Sequence, residues 1–218
     1  MSRIDTETTV EYLENSNLLA TEEHKHLKKD NHFISIAIRI ITIPPVIAFI
    51  MLTYLFFTTH TVFTSNTQYL VTILFLCIFP VAAYPLQRFF KPYFQKREGQ
   101  RHLAMIFSII GYVLGMIYTL IVFSSRALHF IYLGYLISGA VILISNKFLY
   151  FKISGHAVGT AGPIAILLGL GYSAWIYGIP ILLCAFFSSL CAKRHSVVQF
   201  VSGIILPFVI VIGLRYFL

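Results

Sequence analysis

After Asn31 the chain is a series of long apolar runs separated by short polar breaks. The first run extends from Phe33 to Thr58 and carries Pro44-Pro45, which should kink it. The second extends from Gln68 to Phe90 with Pro80 and Pro85 inside, the third from Leu103 to Phe123, and the fourth from Ala127 to Ile144. The stretch from His156 to Ala192 divides into two short runs hinged near Tyr172-Ser-Ala-Trp-Ile-Tyr-Gly178. The last run covers Val197 to Phe217. A helix rises ~1.5 Å per residue, so the short pair sits at the lower limit of about 17 residues for a crossing. The pattern predicts an all-α polytopic membrane bundle of six to seven transmembrane helices. The count falls to six if the first run is re-entrant or the short pair does not divide. Residues 1–31 form a polar N-terminal arm without the apolar core of a signal peptide, and 32–218 form one integral membrane domain.

Composition sharpens this picture. Of the 218 residues 58% are hydrophobic and 11% charged, and the mean hydropathy is +0.82. A soluble domain carries about a quarter charged residues. The net charge of +8 is unevenly spread. The arm holds Asp5, Glu7, Glu11, Glu14, Glu22, Glu23 and Asp30, and only Glu98 follows, so no carboxylate side chain occurs from Gly99 to Leu218. Paired-aspartate intramembrane proteolysis, HExxH zinc proteolysis and carboxylate-bridged two-metal hydrolysis all need such groups. No metal site and no cofactor are expected. Cys77, Cys184 and Cys191 lie in or beside apolar runs with no CxxC spacing, as packing residues do.

Even numbers of crossings separate the loop 91–102, the loop 146–156 and the short loop Lys193-Arg194-His195. All three should therefore open on the face that also bears the arm. Only Arg39, Arg126 and Arg215 of the 16 Lys and Arg fall elsewhere. The positive-inside rule assigns that face to the cytoplasm of a multi-pass protein. Cations in short loops between spans meet membrane lipid headgroups or a phosphorylated ligand rather than nucleic acid.

Three features share this face. The basic loop contains Lys91, Lys96, Arg97 and Arg101, and guanidinium groups suit bidentate phosphate recognition. Lys152-Ile-Ser-Gly-His156 opens a span: Ser154 can cap the helix, Gly155 lets backbone N–H groups approach an anion, and His156 falls in the first turn. His195 follows Lys193-Arg194, and Gln199 lies one helical turn later, where an amide can fix an imidazole tautomer. Taken singly, each is an ordinary interfacial cluster or helix start. Together, two histidines with Ser, Gly and several cations suit phosphoryl transfer: one imidazole attacks phosphorus, the other protonates the leaving oxygen, and the cations neutralise the remaining oxygens.

Basic loop, Ser-Gly-His and a late His two spans on resemble the type 2 phosphatidic acid phosphatase superfamily, with its motifs K-x6-R-P, P-S-G-H and S-R-x5-H-x3-D. The resemblance covers about residues 88–213, including Gly203 after the third motif. It implies a helical membrane phosphatase acting on a lipid phosphate or polyprenyl diphosphate without a metal. By resemblance His195 forms the phosphohistidine, His156 is the general acid and Gln199 orients His195. Arg101, Ser154 and Gly155 contact the phosphate, with Lys96, Lys152 and Arg194 supplying further charge. The chain departs from the pattern at Phe94, His102, Ile153, Ser189 and Gln199, where the family has Lys, Pro, Pro, Arg and Asp. These departures keep open a catalytically impaired relative that binds or carries a phosphorylated lipid, and the proline-rich spans keep open a small transporter. The oligomeric state is not encoded in any of these features.

Overall fold

The computed structural model describes residues 43–90, 96–148, 151–191 and 196–217. Helices account for nearly all of them, with no strand among the described residues. In chain order they are α1 (Pro44–Thr58), α2 (Asn66–Ile73), a π-helical turn (Leu74–Ile78), α3 (Phe79–Leu86) with a 3-10 turn (Gln87–Phe89), α4 (Arg97–Ile121), α5 (Arg126–Lys147), α6 (Gly155–Gly169), a 3-10 turn (Ser173–Tyr177), α7 (Gly178–Cys191) and α8 (Val197–Phe217). Among the described residues four stretches are long and apolar enough to cross a membrane: Asn66–Phe89, Gly99–Ile121, Arg126–Lys147 and Val197–Phe217. Their outer faces carry exposed Leu70, Ile110, Leu120, Ile205 and Val209. Soluble monomers rarely expose apolar surface on this scale, and lipid is the solvent that suits it.

The three remaining apolar helices are short. α6 has 15 residues and α7 has 14, or about 22 Å and 21 Å of rise against a hydrocarbon core of about 30 Å. The hinge between them falls where the sequence indicates. Gly171 adopts φ +84°, a left-handed conformation that glycine takes without strain, and the Gly171 and Tyr172 N–H groups close α6 by donating to Leu168 and Leu167. Two expectations change. Pro44-Pro45 stand at the start of α1, where a proline costs no hydrogen bond, instead of kinking a longer helix; the remainder of that run lies outside the described residues. The second half of the basic loop is helical, because α4 begins at Arg97, so Arg101 sits in its second turn.

Proline shapes the α2–α3 crossing in a way that the apolar pattern hides. The Phe79 N–H reaches back five residues to the Leu74 carbonyl, and Pro80 has no N–H to give. The Phe75 carbonyl is thereby left without its usual helical donor. Gly111 of α4 packs directly over it, so close that a methyl group there would collide with the Phe75 oxygen. One turn further along, Gly115 takes the ring of Tyr132, a fully buried residue of α5. Between membrane helices, where water provides no hydrophobic drive, such small residues allow the close packing that holds a bundle together.

α6 is the innermost helix. Ala157, Ala161 and Ala165 are fully buried at four-residue intervals. Gly159 meets Pro44 of α1, and Gly169 meets Val211 of α8 and Phe130 of α5. At the end of the bundle away from the α6 start, the Ser125 hydroxyl donates to the Val62 carbonyl at 2.6 Å, tying the α4–α5 turn to the α1–α2 loop.

Replacing Gly115 by Val should lower the unfolding midpoint of the detergent-solubilised protein by several degrees, as overpacking costs about 1–3 kcal/mol. Gly213→Val, at a position with open space around it, should leave the midpoint within a degree or two of the parent. Equal midpoints for the two variants in thermal melts would contradict this packing.

Candidate functional site

The start of α6 is built by hydrogen bonds to two other helices. The Ile153 N–H donates to Oδ1 of Asn146, in the last turn of α5, at 2.8 Å. The next amide, that of Ser154, donates to the carbonyl of Gln199 in α8 at 3.1 Å. Ser154 is the N-cap of α6, with Oγ accepting the Ala157 N–H at 3.3 Å. The cap is as the sequence indicates, and Ser154 is fully buried, with its hydroxyl oxygen holding the helix start. Gly155 is exposed, and a Cβ built on it would meet nothing within 4 Å. The front of the helix is therefore open. His156 is half-buried in the first turn, and its carbonyl accepts the Thr160 hydroxyl at 2.8 Å.

Gly203 explains why α8 approaches so near. A Cβ there would lie 2.8 Å from both the Ala157 Cβ and the Ser154 carbonyl oxygen. With Ser154 beside Gln199 at one end and Gly169 against Val211 at the other, α6 and α8 run parallel. Their N-termini consequently lie together, and the partial positive ends of both dipoles face the same region.

Gln199 has a structural duty that the sequence reading missed. Its Oε1 accepts the Ser196 N–H, and its own N–H donates to Ser196 Oγ, both at 3.3 Å. This is a capping box, and its signal, Ser followed three residues later by Gln at a helix start, is present in Ser196-Val-Val-Gln199. The Gln199 amide thus has a hydrogen bond at the α8 cap besides the one to His195 that the sequence suggests. His195 and Arg194 lie outside the described residues.

Among the described residues the candidate cations stand on two segments. Lys152 is exposed just ahead of Ser154, whereas Lys96 and Arg101 are exposed at the start of α4. That helix packs on α3, the π-helical turn and α5, and has no extensive interface with α6 or α8. Any contribution from Arg101 must come across the end of the bundle. Lys147 lies over the Phe148 ring, 5.6 Å from its centroid, and adds charge near the same loop. No group of three His, Cys, Asp or Glu side chains comes together among the described residues. An open concavity of about 280 Å³ lies elsewhere, between the end of α1 and the start of α2, walled by Phe56, Phe57 and Phe63 with His60 among its lining residues. None of the predicted site residues lines it.

No protein-family model, curated protein or solved structure matches the chain.

Removing the α6 cap with Ser154→Ala should cost about 1 kcal/mol, and Gly203→Val should cost more, because it drives α8 off the α6 start. Denaturation in mild detergent compares the two; a Gly203→Val protein as stable as the parent would contradict the α6–α8 contact.

Proposed function

We propose that this chain is a multi-pass membrane phosphatase that releases phosphate from a lipid or polyprenyl phosphate or diphosphate through a histidine nucleophile. One observation carries the reading: the Ser154 N–H to Gln199 carbonyl bond, seated over Gly203, joins the helix start bearing His156 to the segment following His195. Two parallel helix N-termini, with Lys152 beside them and no carboxylate in α6, α7 or α8, make a region suited to an anion. In this proposal α1, α6 and α7 complete a seven-helix bundle of the type 2 phosphatidic acid phosphatase kind, with the basic loops on the cytoplasmic side.

The reaction follows in two balanced steps. A His195 ring nitrogen attacks phosphorus as the bond to the lipid oxygen breaks, and His156 gives its proton to that oxygen. Water then attacks the phosphohistidine, yielding its proton to His156 and freeing phosphate and the His195 nitrogen. Lys152, Lys96, Arg101 and Arg194 balance charge on the phosphoryl oxygens, and the Gly155 N–H faces the anion from the helix end. Ser154 acts here by fixing the start of α6.

A second reading, a protein that binds a phosphorylated lipid without turnover, is favoured by one specific finding. The Ser154 hydroxyl oxygen and the Gln199 amide oxygen each accept a helix-cap N–H, a structural duty besides any at a reacting phosphate.

Purified protein in detergent should release phosphate from at least one member of a panel of lipid phosphates and isoprenoid diphosphates, with chelator present. His195→Ala should abolish release, and His156→Ala should slow it by about 10²–10⁴-fold. Undiminished turnover by His195→Ala would sink the mechanism. Saturable lipid binding without release from folded protein would establish the second reading instead.

A further inference from the structure

Two consecutive amides hold the start of α6, and they are held by different helices. Ser154 is tied to α8 through a main-chain carbonyl, which any residue at position 199 supplies. Ile153 is tied to α5 through a side chain, Oδ1 of Asn146. The acceptor must be the amide oxygen, since the partner is an N–H donor. Asn146 belongs to the last turn of α5 and is half-buried, and Ile153 is buried. Loss of the acceptor would leave a sheltered N–H without a partner at the point from which Lys152 and His156 project in opposite chain directions.

We propose that Asn146 is a positioning residue for the candidate site. It clamps the 151–154 segment to α5 and so sets the height of His156, and the reach of Lys152, relative to the α8 start. This inference rests on the phosphatase reading. The clamp constrains geometry and touches no reacting atom. Its loss should therefore depress the chemical step more than substrate binding, since small displacements of a catalytic group lower rate steeply, up to about 10²-fold per ångström. Aspartate keeps an acceptor oxygen of the same length and should restore the hold, whereas alanine and leucine cannot.

The experiment compares the parent protein with Asn146→Ala and Asn146→Asp, each purified in detergent and shown to be monodisperse. Phosphate release is measured on the panel substrate that the parent turns over best, and amide hydrogen exchange is followed in the peptide spanning 151–156. Asn146→Ala should lower kcat about 10-fold or more with KM within about threefold, and should speed exchange at Ile153. Asn146→Asp should recover the slow exchange, whereas the carboxylate it adds beside a region suited to an anion leaves kcat to be read from Asn146→Ala. Unchanged kcat in Asn146→Ala, with Ile153 exchanging faster, would overturn the positioning role; unchanged exchange would overturn the clamp itself. If Asn146→Ala fails to fold, the near-isosteric Asn146→Leu takes its place: a kcat lowered about 10-fold or more with faster exchange at Ile153 supports the role, and parent-like kcat with faster exchange overturns it. A parent protein that releases no phosphate would refute the phosphatase reading and the catalytic part of this inference, while the exchange data would still decide the clamp.

Discussion

In hydrocarbon a backbone N–H has no water to turn to, and a helix start exposes several that its own turns do not satisfy. The start of α6 meets this constraint at one end of the bundle. Ser154 Oγ takes one amide, Asn146 of α5 takes another, and the Gln199 carbonyl of α8 takes a third. These bonds require α5, α6 and α8 to meet at one end. They also require α8 to come close enough that only glycine fits at 203. The relation between His156 and the segment following His195 follows from that packing.

Small residues propagate the same logic through the rest of the molecule. α6 enters the interior because Ala157, Ala161, Ala165, Gly159 and Gly169 leave room for its neighbours. α4 closes on the π-helical turn because Gly111 accommodates a carbonyl that Pro80 leaves without a donor. Polar side chains inside the bundle mostly return their protons to their own helix, as Thr72 does to Gln68 and Thr119 to Met116. Among the described residues the interior is held largely by shape and by local hydrogen bonds, with Thr53 and Tyr69 joining α1 to α2 and further polar links at the two ends.

Much of this was legible in the residues, and the exceptions have physical causes. Long apolar runs mark helices whatever packs against them, so the breaks near Ser124 and Tyr172 and the four long helices follow from pattern alone. Ser154 as a cap was legible too, because capping is local. The π-helical turn was not, since a proline within an apolar run is compatible with a kink, a break or a register shift, and the choice depends on which neighbour reaches the freed carbonyl. Asn146 was seen only as a loop residue, for its partner, Ile153, is set by how the loop folds back. Gln199 was read toward His195, which lies outside the described residues; its oxygen also accepts the Ser196 N–H at its own helix end, a local duty that the reading passed over. Arg101 was placed in a loop on the face of the histidines, and it stands instead in the second turn of a helix that packs on α3 and α5.

In the proposed reaction the paired starts of α6 and α8 serve a histidine that takes up phosphate. The most direct test is a rapid-quench experiment on the purified protein with a lipid substrate labelled with 32P at the phosphoryl group, stopped in alkali to preserve phosphohistidine. The account predicts acid-labile, alkali-stable label on the peptide containing His195, appearing before free phosphate and removable by water in a chase. Label on another residue, or steady phosphate release with no labelled protein at any time point, would contradict it.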